Sequence, residues 1–513
     1  MKLILIVCST YHLCTGIRLS HLSDVIAPSG HQRIKDHGDS YLTIRLDIGY
    51  QTLSLIPDSG SFDLYIVDGD DCRLSLCKPA YRPKHSHSHL TIPEEVRREV
   101  YFGSGACSVA LAYDEVRVHD DGGSGGVVEQ VKQRQVVPVW QIDRMDDDMI
   151  SVWGDGRGFQ GIVGLGFKGG MGRETEEVEK EKSVATSMGV PEASRASALL
   201  FGDVFAVCLP RGGVANIVSF AQRAGTRSIL LEQSNDDPHG TIWWGQSVPQ
   251  LSWSLNVPVV GQRHWTISFK SASVGSADLC EAPCAALVDS GTSLIALKDS
   301  RIDDILRKTK IGDLAEDCSN VQDMPDIIIT FENDQIMRIS PESYIMRVSS
   351  DLLSSAEVSE SGRISLGTNK VIVVRKGVKK STSFAETSKA SESPTTLCTY
   401  AFMESPIEKA SVNGEEQEVI ILGIPVFREY SIKFDRKQSS ISFARHPEGA
   451  DCDNAEALAL ESEPPVSNST SISRETEEES IIMTAKSSLA QIRQPLTIRS
   501  LPSLDLLRFP SRA

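Results

Sequence analysis

A carboxylate set inside an apolar, strand-like run constrains this chain more than any other feature. In "LSLIPDSGSFDLYIV" (53–67), Asp58 ends such a run and is followed at once by Ser59 and Gly60. A buried carboxylate is costly unless it is paired or hydrogen-bonded, so the position needs a reason. "AALVDSGTSLIAL" (285–297) repeats the arrangement around Asp289. Each copy has a later companion: "GFQGIVGLGF" holds Ile162-Val163-Gly164, and "VIILGIPVF" holds Ile421-Leu422-Gly423. Apolar strand, Asp-Ser-Gly turn and distant apolar-apolar-Gly strand thus occur twice. Such an internal duplication places the two Asp residues equivalently in two lobes.

The rest of the chain fits a mostly β protein. Short alternating apolar runs such as "YLTIRLDIGY", "ALAYDEVRV", "RQVVPVWQI", "WTISFKSASV" and "YSIKFDRKQSSISFA" are separated by Gly, Asp, Asn and Ser. "DSRIDDILRKT" (299–309) is the best helical pattern. The net charge of −17 argues against a nucleic-acid surface, and no stretch approaches eighteen uninterrupted apolar residues, so no membrane span is expected.

Residues 1–16, "MKLILIVCSTYHLCTG", read as a short secretory signal, with 17–40 a brief prosegment-like stretch. Three segments read as solvated: 169–190 with "RETEEVEKEK", 375–396, and an acidic, Ser-rich tail over 448–513 that carries the sequon "NST" at 468–470. Of eleven cysteines, Cys8 and Cys14 fall in the signal. Cys72/Cys77 and Cys280/Cys284 suit small disulfide loops in an oxidising compartment better than metal or redox spacing. The odd remainder leaves at least one thiol unpaired.

Together these motifs resemble a pepsin-like aspartic peptidase, over roughly residues 41–446. The two Asp-Ser-Gly-(Ser/Thr) turns resemble that family's paired catalytic turns. "VYFGSGACSVALAYDEV" (100–116) resembles its β-hairpin flap, "NVPVVGQRHWTISFKSASVG" the strands opening its second lobe, and "ILGIPVFREYSIKFDRKQSSISFA" its closing segment. The resemblance implies an all-β, bilobal fold with an N-terminal lobe (41–235), a C-terminal lobe (236–447), a cleft between them and a flap above it. It implies disulfides Cys72–Cys77, Cys280–Cys284 and Cys318–Cys398, leaving the unpaired thiol among Cys107, Cys208 and Cys452.

The family's chemistry follows from the pairing. Two carboxylates held face to face cannot both ionise easily, so they share one proton over an acidic range; aspartic proteases are the standard example of this effect. The resemblance makes Asp58 and Asp289 the catalytic pair that activates a water for attack on a peptide bond. Gly60 and Gly291 supply amides, Ser61 and Thr292 hydroxyls for the outer oxygens, and Ser59 and Ser290 reach across to the opposite lobe. It implies a peptide or protein substrate, an acidic optimum, pepstatin sensitivity, no cofactor or metal, a monomer, and an extracellular or acidic vacuolar location.

Departures from the pattern support a rival reading, a weakly active or inactive peptide-binding protein of the same fold. At the flap, Tyr101, Phe102, Gly103 and Ser104 put Phe where the family has Tyr, and Tyr65 stands where it has Trp. Strand alternation sends Tyr101 to the other face. Pro57 removes an amide donor before Asp58, and Ile424-Pro425 replaces a polar position. Arg33 or Lys35 is a candidate latency contact. Two motifs are decoys: "KHSHSHL" mimics a metal site with His85, His87 and His89, and "GGSGG" (122–126) mimics a serine-hydrolase turn but reads as a flexible loop.

Overall fold

The computed structural model describes residues 29–37, 41–69, 80–92, 96–119, 135–147, 149–150, 159–167, 196–210, 239–261, 263–315, 317–349, 357–358, 363–365, 371–373, 396–412, 414–446 and 452. The signal and the GGSGG stretch lie outside these residues, as do the 169–190 segment, Cys72 and Cys77. So does the tail apart from Cys452. The described residues belong to one unit, Met1–Ser462.

The fold is mostly β-sheet with few helices. Its first half is built from β1 (Gly30–Asp36), β2 (Leu42–Ile48), β3 (Gln51–Asp58), β4 (Leu64–Val67), β5 (Arg97–Phe102), β6 (Gly105–Val118), β7 (Gln135–Met145), β8 (Gly161–Gly164), β9 (Val204–Cys208) and β10 (Gly240–Trp244). β1 is the seam. It pairs with β10 on one side, Gly30 opposite Trp244, and its last residues pair with β2 on the other. Part of the prosegment-like stretch is therefore a strand, on which Arg33 and Lys35 are exposed.

The duplication is visible in the hydrogen-bonding order. β3 runs parallel to β8, with Asp58 opposite Gly164; β8 is antiparallel to β4, and β4 is parallel to β7. In the second half Cys284–Val288 runs parallel to Glu415–Leu422, which is antiparallel to Ile295–Leu297, which is parallel to Phe402–Glu404. Each strand bearing an Asp thus has the apolar-apolar-Gly strand slotted beside it. Such strands are covered on both faces and read as continuous apolar runs. The residues of Cys284–Val288 and of β8 are all buried.

Two breaker residues fit this frame. The β2–β3 ladder stops at Leu55, so Pro57 lies beyond it and takes no amide from that ladder. Ile424–Glu429 is a helix with Pro425 in its first turn, where the missing N–H has no intrahelical partner to lose. Asp299–Lys308 is helical with Ile302 and Ile305 buried, as its pattern predicts.

The halves are locked by contacts distant in sequence. The Trp265 indole, read from the sequence as simple packing, is fully buried and also donates to the Leu165 carbonyl at 2.8 Å. The Arg436 guanidinium donates to the same carbonyl at 2.9 Å and to Gly202 at 2.9 Å, with burial drawing its pKa down to about 10. Cys280–Cys284 and Cys318–Cys398 are disulfide-bonded. A further bridge, Cys208–Cys452, ties β9 to the start of the tail and leaves Cys107 as the free cysteine among the described residues. The Cys107 thiol is buried, and burial and Asp146 push it up to about 12, so it is a poor nucleophile.

Candidate active site

Asp58 is the last residue of β3 and Asp289 directly follows the buried strand Cys284–Val288, and the chain turns sharply after each. Asp58 and Asp289 are both 8% exposed, so each shows only an edge to solvent. The two carboxyl groups face each other, each lying against the glycine of the other's turn. Burial first, then the neighbouring Asp289 carboxylate, raise the Asp58 pKa well above the usual carboxylate range. Each carboxylate also accepts from its own turn: Gly60 N–H to Asp58 Oδ1 at 2.9 Å, Gly291 N–H to Asp289 Oδ1 at 2.9 Å. The glycines are sterically required. A Cβ at Gly60 would stand 2.7 Å from Asp289 Cγ, and one at Gly291 would overlap Asp58 Oδ1.

The serines form a closed reciprocal set across the two halves. Ser59 Oγ donates to the Val288 carbonyl at 3.0 Å and accepts from Ser290 N–H at 2.9 Å. Ser290 Oγ donates to the Pro57 carbonyl at 2.7 Å and accepts from Ser59 N–H at 3.1 Å. Each hydroxyl uses its donor and an acceptor, so the pair is satisfied while buried. Pro57 contributes its carbonyl, the one backbone polar group it has.

The outer oxygens are treated unequally. Thr292 Oγ1 donates to Asp289 Oδ2 at 2.6 Å. Ser61 stands beside Asp58 closely enough to favour its ionised form, yet its Oγ is buried with no aligned hydrogen-bond partner.

The β5–β6 hairpin turns at Gly103-Ser104. Along β5, Arg98, Val100 and Phe102 face inward while Arg97, Glu99 and Tyr101 face out. Phe102 packs edge-on against Tyr65, ring centroids 5.3 Å apart. Tyr101 is 58% exposed and its hydroxyl donates to Glu99 at 3.1 Å. The Tyr65 hydroxyl is committed beneath the flap: it donates to Asp63 at 3.1 Å and accepts from Arg98 at 2.8 Å. Arg98 also pairs with Asp63 and lies 3.8 Å over the Trp140 ring.

The family model described as "Eukaryotic aspartyl protease" matches residues 227–363, which include the Asp289 turn. Pepsin-2B of Gadus morhua is 24% identical over 325 residues, covering 61% of this chain and 83% of that protein. Cathepsin E of Mus musculus is 25% identical over 335 residues (62% and 69%), and pepsin A of Sus scrofa 23% over 338 (64% and 74%). Over these stretches the chain is similar to the pepsin-like aspartic peptidases.

Within that family frame, the structure brings together Asp58, Ser59, Gly60, Ser61, Asp289, Ser290, Gly291 and Thr292, with Phe102 over Tyr65 and Tyr101 turned away. It does not gather the histidine run. Pro83–His85 is a 3₁₀ turn, His89 bonds Gln141 at 2.9 Å, and His87 lies against Tyr50. No group of three metal-binding side chains occurs among the described residues.

Sequence reasoning missed the charged set beside the pair. Asp63 and Arg98 are one part; Arg263 and His264 are the other. His264 packs on Phe62 at 4.8 Å, and burial, then Arg263, lowers its pKa despite Asp289 nearby. A charged residue on the inward face of an alternating flap strand was the available signal for Arg98.

Proposed function

We propose that the chain is an aspartic endopeptidase in which Asp58 and Asp289 activate water between them. The close, buried juxtaposition of the two carboxyls, each against the other's glycine turn, carries this reading. One shared proton leaves one carboxylate ionised, to draw a proton from the attacking water, and one protonated, to donate to the scissile carbonyl oxygen. Which residue takes which part belongs to the coupled pair. Water attacks directly, so no acyl-enzyme forms. The raised Asp58 pKa favours the singly protonated pair in acid, hence an acidic optimum.

An extended peptide would lie beneath the flap, whose strand β5 is the edge of its sheet. The lobes are assigned to 41–235 and 236–447, in a monomer that contains both carboxylates. The disulfides support an oxidising compartment, secreted or acidic vacuolar.

A second reading, a weakly active or inactive peptide-binding protein, draws on Phe102 at the flap, the committed Tyr65 hydroxyl and the unaligned Ser61. A quenched-fluorescence peptide assay at mildly acidic pH separates them. Endopeptidase action predicts cleavage that pepstatin abolishes and that Asp58→Asn or Asp289→Asn removes. Peptide binding without cleavage in the processed protein supports the second reading.

A further inference from the structure

The segment Arg263-His264 brings an uncompensated positive charge to the side of the Asp58 turn. The Arg263 guanidinium lies over the Phe62 ring, 5.3 Å from its centroid, four residues beyond Asp58 in the chain. It has no carboxylate partner within salt-bridge distance among the described residues. The charged groups that act on it are Asp63 and Arg98. Those two are already paired with each other, so they cancel locally. His264, on Phe62, leaves its buried Nδ1 without a hydrogen-bond partner.

A partly buried guanidinium without an anion is unusual, because desolvation costs what a partner would return. Stacking on Phe62 holds it in a planar, forked presentation suited to a carboxylate. Arg263 is only partly buried, so an extended ligand crossing the Phe62 ring can reach it.

We infer that Arg263 is a specificity-determining residue that selects an acidic side chain, or a terminal carboxylate, in the bound peptide. This rests on the peptidase reading for its readout but not for its binding geometry.

The test uses the full chain and a quenched peptide series in which one Glu is moved through successive positions on either side of the cleaved bond, each peptide having a Gln twin. A second series places the free C-terminus at successive distances from that bond, each peptide having an amidated twin. In the wild type, Glu or a free carboxylate should be preferred at one position by about tenfold in kcat/KM, the factor that 1.4 kcal/mol represents. Charge-assisted hydrogen bonds reach that size.

Arg263→Gln should bring the ratio to about one, Arg263→Lys should keep part of it, and raised salt should shrink it. No carboxylate preference at any position, or one that survives Arg263→Gln, overturns the inference. If none of the peptides is cleaved, the peptidase reading fails. The same carboxylate and neutral twins, measured by fluorescence anisotropy, then still decide the inference by their affinity ratio. Far-ultraviolet circular dichroism identifies any variant that has failed to fold; Arg263→Lys then carries the comparison.

Discussion

The two aspartate turns share one scaffold and differ in surroundings. Both Asp residues stand at the C-terminal end of a parallel-paired strand, accept from a glycine amide two residues on, and sit on the reciprocal serine contacts. Asp289 has its second oxygen fixed by Thr292. Asp58 has the flap, the Arg98–Asp63–Tyr65 group and a serine with no aligned bond. Duplicated backbone therefore sets the position of each carboxylate, while the side chains around it set its electrostatics. Symmetry of the fold does not impose symmetry of the chemistry.

The largest expected effect breaks the pair itself. Asp58→Asn and Asp289→Asn should each lower kcat/KM by roughly 10³ or more, since general acid–base groups contribute about 10²–10⁴ and these two act as one unit. Steady-state kinetics on folded variants checks this; a tenfold loss in either would mean the partner works alone.

Next is the group found only on the Asp58 side. Arg98→Met leaves Asp63 buried without its cation, and chemical denaturation should show a loss of about 3–5 kcal/mol. The double variant Arg98→Met with Asp63→Asn should recover much of it.

The serine contacts come third. Ser59→Ala and Ser290→Ala should each cost about 1–3 kcal/mol through stranded buried groups. Because the two hydroxyls share partners, the double variant should cost less than the sum.

The outer hydroxyls are the sharpest comparison of the two turns. Thr292→Ala should reduce kcat by about tenfold, consistent with losing a charge-assisted bond of about 1.5 kcal/mol. Ser61→Ala should change it less. Equal losses would refute the asymmetry.

Smallest is a stability effect of pH. Asp58 has its pKa raised in the fold, so its contribution is full below the ordinary carboxylate range and is lost as pH rises through the folded value. Asp58→Asn should therefore melt higher than the wild type at pH 7, with the gap closing toward pH 4. Asp47 works in reverse. Burial opposes its charge, but bonds from Thr52, His119 and Arg117 outweigh burial and lower its pKa, so its contribution fades as pH falls below the ordinary range.

Much of this was legible because it is written in local pattern. The Asp-Ser-Gly turns, the flap alternation that separates Phe102 from Tyr101, and the helix at 299–308 follow from spacing and period. The contacts of Trp265 and Arg436 with Leu165, and the Cys208–Cys452 bridge, were not legible. They join residues one hundred or more positions apart, and nothing local to either end specifies the partner. Arg263 was hidden for a related reason: in sequence it is an ordinary basic residue, and only the approach of Phe62 makes it unusual.

The proton shared by Asp58 and Asp289 is the claim on which the rest depends. Carbon-13 NMR of the two Asp Cγ atoms, assigned with Asp58→Asn and Asp289→Asn and followed from pH 2 to 8, tests it most directly. The account predicts two well-separated steps, each sensed by both carboxyls, with the upper step lost in either variant. Two independent titrations near the ordinary carboxylate value, unaffected by the partner's removal, would contradict it.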